Sequence, residues 1–168
     1  KHTAMGRFRH ENAAVVVGTD NRVVVYMGDD KRDACVYKFV SKGTYNPADR
    51  AANLKLLETG SLYVADFRNG KWLLLDFDQN AALKEATNED GAPLFTSQAQ
   101  VLADSLSASL AIGGTPVDRP EDIEIHPKTG DVYIALTNNS NHGNFFGQIV
   151  KLTEDQSNWS AEAFRWEI

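Results

Sequence analysis

The sequence predicts a mainly β chain, a partial β-propeller carrying a short helical insertion, on three observations. Two segments, 11 to 40 and 121 to 153, can be laid over each other. Short apolar runs are punctuated by polar turns, as small antiparallel meanders require. Between the two copies, Ser61 to Phe67 and Lys71 to Phe77 alternate around Arg68 and the strong hairpin dipeptide Asn69-Gly70.

The copies correspond element by element. Each opens on an arginine and a glutamate, Arg9-His10-Glu11 and Arg119-Pro120-Glu121. An apolar run follows, Ala13 to Val17 and Ile123 to Ile125, then a polar turn, Gly18 to Asn21 and His126 to Gly130. A second strand is expected at Val23 to Met27 and at Val132 to Leu136, with Val23 set against Val132. Asp29-Asp30 and Asn138-Asn139 close these strands; they carry oxygen donors of the kind calcium takes, but the preferred reading is as turn formers that bond their own backbone. Third strands are Val36 to Phe39 and Ile149 to Leu152, the second copy having a longer loop around Asn141 to Asn144. Ser160 to Trp166 adds a fourth strand, so the second repeat extends over 121 to 168.

The hairpin at 61 to 77 and a helical insertion at 79 to 112 fall between the copies. Within the insertion, Val101, Leu102, Leu106 and Leu110 make one apolar face over Ser97 to Ile112, ended by Gly113-Gly114. That stripe is core packing.

Composition narrows the function. The chain has 168 residues, 42% hydrophobic and 24% charged, as in one globular domain. A net charge of −6 without a basic block argues against sequence-independent nucleic-acid binding. No apolar run has the length of a membrane helix. A single cysteine, Cys35, excludes an internal disulfide and a cysteine-based zinc site, and its strand setting makes it a small buried hydrophobe. His10 and His126 have no partner at metal-ligand spacing. The opening on Lys1 and the alternating strand at the other end suggest a segment of a longer protein, 1 to 168 being part of one propeller domain.

In a blade the first strand lines the channel, so Glu11 and Glu121 would converge there. A buried carboxylate is costly unless paired or bound to a cation, which makes the two glutamates candidate metal ligands. The opposing reading leaves each glutamate solvent-exposed at a strand end, or pairs it with the arginine two residues before it. Arg119 divides in the same way, between a planar fork for phosphate oxygens and a local salt bridge.

Gly6-Arg7-Phe8-Arg9-His10-Glu11, Arg119-Pro120-Glu121-Asp122-Ile123-Glu124 and Val132-Tyr133-Ile134-Ala135-Leu136-Thr137-Asn138-Asn139 resemble the PhoX family of calcium-dependent bacterial alkaline phosphatases. The resemblance implies about three blades of a six-bladed propeller with a calcium and iron centre on its axis. It implies Glu11 and Glu121 as metal ligands, Arg119 as the side chain that steadies phosphate, phosphate monoesters as substrates, and a periplasmic or secreted location. The family's cysteine before the Gly-Arg-Phe motif has no counterpart, Cys35 lying after Glu11. This chain would then hold an incomplete site, with no nucleic-acid or membrane partner, and a homodimer would form through exposed blade edges. Two alternatives stand beside it, a non-catalytic propeller scaffold and a calcium-dependent lactonase-like propeller.

Overall fold

A computed structural model describes residues 1–154 and 159–168. Its strands are β1 (His10–Val17), β2 (Arg22–Asp29), β3 (Arg32–Ala34), β4 (Val36–Thr44), β5 (Gly60–Asp66), β6 (Lys71–Leu74), β7 (Val117–Asp118), β8 (Pro120–Ile125), β9 (Val132–Leu136), β10 (Gln148–Glu154) and β11 (Phe164–Glu167). The α-helices are α1 (Arg50–Asn53), α2 (Ala81–Glu85), α3 (Gln98–Ala103) and α4 (Ser105–Ala111). Among the described residues the eleven strands form three antiparallel sheets, ordered β1-β2-β4-β5-β6, β11-β10-β9-β8 and β3-β7. No helix among them is long and apolar enough to cross a membrane.

The five-stranded sheet is the middle layer. Val24, Tyr26, Val36 and Trp72 face the four-stranded sheet, meeting Ile123, Ile134, Val150 and Leu152 in one core. Val25, Met27, Tyr37 and Phe39 face the other way, onto Leu83, Val101 and Ala108 of the helices. Cover on both faces explains why β2 is an unbroken apolar run, whereas β9 alternates buried and exposed side chains. Each fully buried large side chain here, Phe39 or Ile134 for instance, contributes roughly 1.5–3 kcal/mol of burial.

A buried charge clamps the two larger sheets together. The Lys38 Nζ of β4 donates to Glu154 Oε1 of β10 at 2.9 Å and to the Ala161 carbonyl at 2.7 Å. Tyr26 donates to Glu154 Oε2 at 2.6 Å, the Trp72 indole N–H donates to Oε1, and the ammonium lies 4.9 Å from the Trp72 ring centre. Tyr133 and Lys151, which occupy the ladder positions of Tyr26 and Lys38 in the other sheet, are solvent-accessible.

Several expectations need correction. The hairpin expected at 61 to 77 is present as β5 and β6, and it extends the first sheet: β5 pairs with β4 as its fourth strand and β6 adds a fifth. Asp66 holds its turn, accepting from the Arg68 amide at 3.1 Å and the Asn69 side chain at 2.6 Å. Ladder register makes Met27 the counterpart of Ile134, so Val132 corresponds to Val25 and not to Val23; the longer β1–β2 hairpin accounts for the offset.

The insertion is also broken differently. Asp104 ends the helical path at φ −131 and caps α4, its carboxylate accepting from the Ser107 amide. The buried face beyond it is therefore Ser105, Ala108 and Ser109, and Leu110 is exposed. The fourth strand of the second repeat is Phe164–Glu167. Residues 155 to 158, inside that repeat, lie outside the described residues.

Candidate functional site

Glu11 and Glu121 sit on matching irregularities. β1 uses one residue more than β2 between the pairs His10↔Asp29 and Ala13↔Met27, and β8 does the same against β9 between Pro120↔Leu136 and Ile123↔Ile134. Each strand thus carries a β-bulge at its glutamate, the device that re-aims a side chain at the end of a ladder. The bulges adjoin, because the Asn12 amide donates to the Asp122 carboxylate. A Cβ at Gly28 would collide with the Pro120 carbonyl, so glycine is what lets the two backbones touch here.

The two glutamates differ in setting. Glu11 is exposed, so the cost of burying a charge does not arise for it. Glu121 is half-buried and accepts from Arg119 Nη2 at 2.7 Å and from the Thr137 hydroxyl at 3.2 Å. The local pairing considered from the sequence is therefore present for Glu121.

Arg119 is held from several sides. Its φ of 52 is left-handed, a conformation costing a non-glycine residue roughly 1 to 3 kcal/mol. The Thr137 amide donates to its carbonyl at 3.2 Å, and Pro120 follows it. Its guanidinium faces Asp30, with Nε 3.0 Å from Oδ1 and Nη2 3.3 Å from Oδ2. Oδ1 is buried, and Nε is its ionic neighbour without hydrogen-bond alignment. Asp30 and Thr137 occupy equivalent positions after β2 and β9, and both close on the Arg119–Glu121 pair.

This end of the fold opens into a cleft of about 390 Å³ lined by Arg9, Asp30, Lys31, Arg32 and Arg119. Arg9 is tied in by its backbone: its amide donates to Asp29 Oδ1 at 3.1 Å and its carbonyl accepts from the Asp30 amide at 3.2 Å. The β3–β7 ribbon pairs Arg32 with Asp118, which carries Arg32 to the strand leading into Arg119. Sequence reasoning singled out Arg119 alone. The other three cations come from the chain before β1 and around β3, and no local spacing links them to residue 119.

A second cluster lies on the same ribbon. The His142 ring reaches Asp118 Oδ1 with Nδ1 at 2.8 Å and Asp33 Oδ1 with Nε2 at 3.1 Å. Asn139 donates to Asp33 and Asn144 to Asp118, each at 3.0 Å. Burial works against ionisation of Asp118, but hydrogen bonds from Asn144, His142 and Asn139 outweigh it and hold the carboxyl below its usual range. Asp33, at φ 61, is a further left-handed non-glycine residue. One ligand atom from each of Asp33, Asp118 and His142 lies within 4.8 Å of the others, so the trio has the donors for a divalent cation. His142 was missed because it stands alone in the long loop of the second copy.

Other candidates are structural. Asn139 caps the turn at Ser140–His142, and His126 Nδ1 accepts from the amides of Lys128 and Thr129 at 3.3 and 3.1 Å. His10 stacks on Phe8 at 3.8 Å and bonds the Gly6 carbonyl. Cys35 is fully buried, and burial, helped by the negative Asp29, pushes its thiol up to about 12. Asp30 is more than a turn former, since it holds Arg119.

The sequence model of the family described as alkaline phosphatase PhoX matches residues 1–168. Among curated proteins nothing matches the chain. Among solved structures it is similar to Pseudomonas fluorescens PhoX in complex with vanadate, a transition state analogue, with 36% identity and a TM-score of 0.85. That match covers 99% of this chain and 32% of the other, so the chain spans about a third of that protein's length. The motifs around Glu11 and Arg119-Pro120-Glu121, the fold that brings them side by side and the match along the whole sequence agree: the chain belongs to the PhoX alkaline phosphatase family.

Proposed function

We propose that this chain supplies part of the active site of a metal-dependent phosphatase acting on phosphate monoesters. In this reading its two meanders are neighbouring blades of a six-bladed propeller. The supporting observation is Arg119, fixed between Asp30 and Glu121 at the mouth of a cationic cleft beside the twin bulges. Nη2 donates to both Asp30 and Glu121 and Nε faces Asp30 as an ion pair, which leaves the Nη1 edge for phosphoryl oxygens. Donors fixed before the substrate arrives stabilise developing charge without reorganisation.

Glu11 and the second oxygen of Glu121 are hard donors of the kind calcium takes, and they would hold that metal here. Bound calcium would polarise a phosphoryl oxygen. Two carboxylates leave most of roughly 6 to 8 coordination positions open, so this chain alone should bind calcium weakly. Iron, also implied by the family, gains no thiolate from Cys35, whose burial and raised titration do not fit a ligand.

The family reading carries further proposals: an exported location, phosphate-ester small molecules as the partners in place of nucleic acid or a membrane, and self-association of this chain through open sheet edges. Light scattering showing a monomer at high concentration would contradict the last. For function, the test is hydrolysis of p-nitrophenyl phosphate. A longer family protein containing this segment should turn it over with calcium, and the 168-residue chain alone no faster than buffer. Lactone opening in its place would favour the lactonase alternative, and neither activity a scaffold.

A further inference from the structure

We infer that Arg9, Lys31 and Arg32 form a second anion subsite beside Arg119, suited to phosphate esters whose leaving group carries a further phosphoryl group. The chain is acidic, with 17 Lys and Arg against 23 Asp and Glu, yet four of its cations line one cleft of about 390 Å³. The single carboxylate in that lining, Asp30, is engaged by Arg119, and Asp29 beside Arg9 and Lys31 adds one more negative charge against the remaining three cations. Arg9, Lys31 and Arg32 are exposed, so their charges meet solvent and any ligand that enters.

Their placement is fixed by backbone. The reciprocal bonds of Arg9 with Asp29 and Asp30 hold one wall, and the pairing of Arg32 with Asp118 holds the other. Of the left-handed residues, Asp33 lies within that ribbon and Arg119 directly follows it. Strain of this kind persists where surrounding structure over-determines it, commonly at ligand sites. The Asp29 carboxylate beside Arg9 and Lys31 offsets part of their charge, and with one phosphoryl group on Arg119 a second phosphoryl group on the same molecule would answer the remainder together with Arg32, each contact being a charge-assisted hydrogen bond.

The substrate class rests on the phosphatase reading, but the anion subsite does not, so the test reads binding and not turnover. Phosphate and pyrophosphate are titrated calorimetrically into the 168-residue chain at low ionic strength with EDTA present. Pyrophosphate should bind about tenfold tighter than phosphate, and the double substitution Lys31→Gln with Arg32→Gln should abolish that preference. Both positions are exposed, and an unchanged melting temperature verifies folding; Lys128→Gln, outside the cleft lining, serves as the charge control and should leave the preference intact. Equal affinity for the two anions, or a preference that survives the double substitution or is lost equally in the control, overturns the proposal. A preference confirmed in the chain while the longer protein lacks phosphatase activity would leave the subsite standing and remove the phosphatase reading.

Discussion

Asn12 and Asp122, each one residue beyond a bulged glutamate, hydrogen-bond to each other between two different sheets. The bond is exposed, so its loss should cost only about 0.5–1.5 kcal/mol. Its larger effect is on geometry, since it sets one bulge against the other. Asp122→Ala should weaken calcium binding several-fold while lowering the melting temperature by only a few degrees. Calorimetry and a thermal melt on the same sample check both.

Asp30 should act through Arg119. In Asp30→Asn the side chain keeps its size but loses the charge that faces Nε and Nη2. Phosphate affinity should fall by about tenfold, the worth of one charge-assisted contact. Unchanged affinity in a phosphate titration would mean that Arg119 does not need this partner.

The Lys38–Glu154 pair is the stability hot spot. Both side chains are almost fully buried, and removing one leaves the other uncompensated. Lys38→Met should destabilise by about 3–5 kcal/mol, and adding Glu154→Gln should restore a large part of that. Urea unfolding of the two variants decides it; equal stability of Lys38→Met and the native chain would show that the clamp is dispensable.

Acid should weaken the second sheet through Asp131. The hydrogen bond from Thr153 is the foremost cause holding its carboxyl below the ordinary 3.8, assisted by Thr129, Lys151 and His126 and opposed by burial. The folded carboxyl is the stronger acid, so the unfolded chain binds the proton more readily. This contribution is therefore complete above the ordinary carboxylate range and lost as pH falls through the lower folded value. Asp131→Asn should flatten the acid limb of a stability-versus-pH curve, most visibly below pH 4.

Much of the fold was legible because the patterns are local. The unbroken Val23 to Met27 run marks a strand covered on both faces, and the alternating Val132 to Leu136 run a strand covered on one. The repeated Arg-x-Glu marks Glu11 and Glu121 as equivalent positions, and a β-bulge lies at each. Register was misjudged because hairpin length, which shifts Val25 and not Val23 onto Val132, leaves no periodic trace. A helix was drawn through Asp104 because its leucines kept helical spacing, whereas the aspartate's preference for capping divided it. The grouping of Arg9 with Lys31 and Arg32, and of His142 with Asp33 and Asp118, is not legible in the sequence because it is assembled by pairings between distant segments, chiefly β3 with β7.

The central claim is that Glu121 serves a metal-dependent phosphoryl site as well as pairing with Arg119. The most direct measurement is metal content together with p-nitrophenyl phosphate turnover of a longer family protein bearing Glu121→Gln. Gln preserves the shape and can still accept from Arg119 and Thr137, the partners seen for Oε1. The account predicts loss of bound metal and a fall in turnover of about a hundredfold or more, the scale of removing one electrostatic element of a transition-state site. Native metal content and full rate in that variant would contradict it and leave Glu121 as a salt-bridge partner alone.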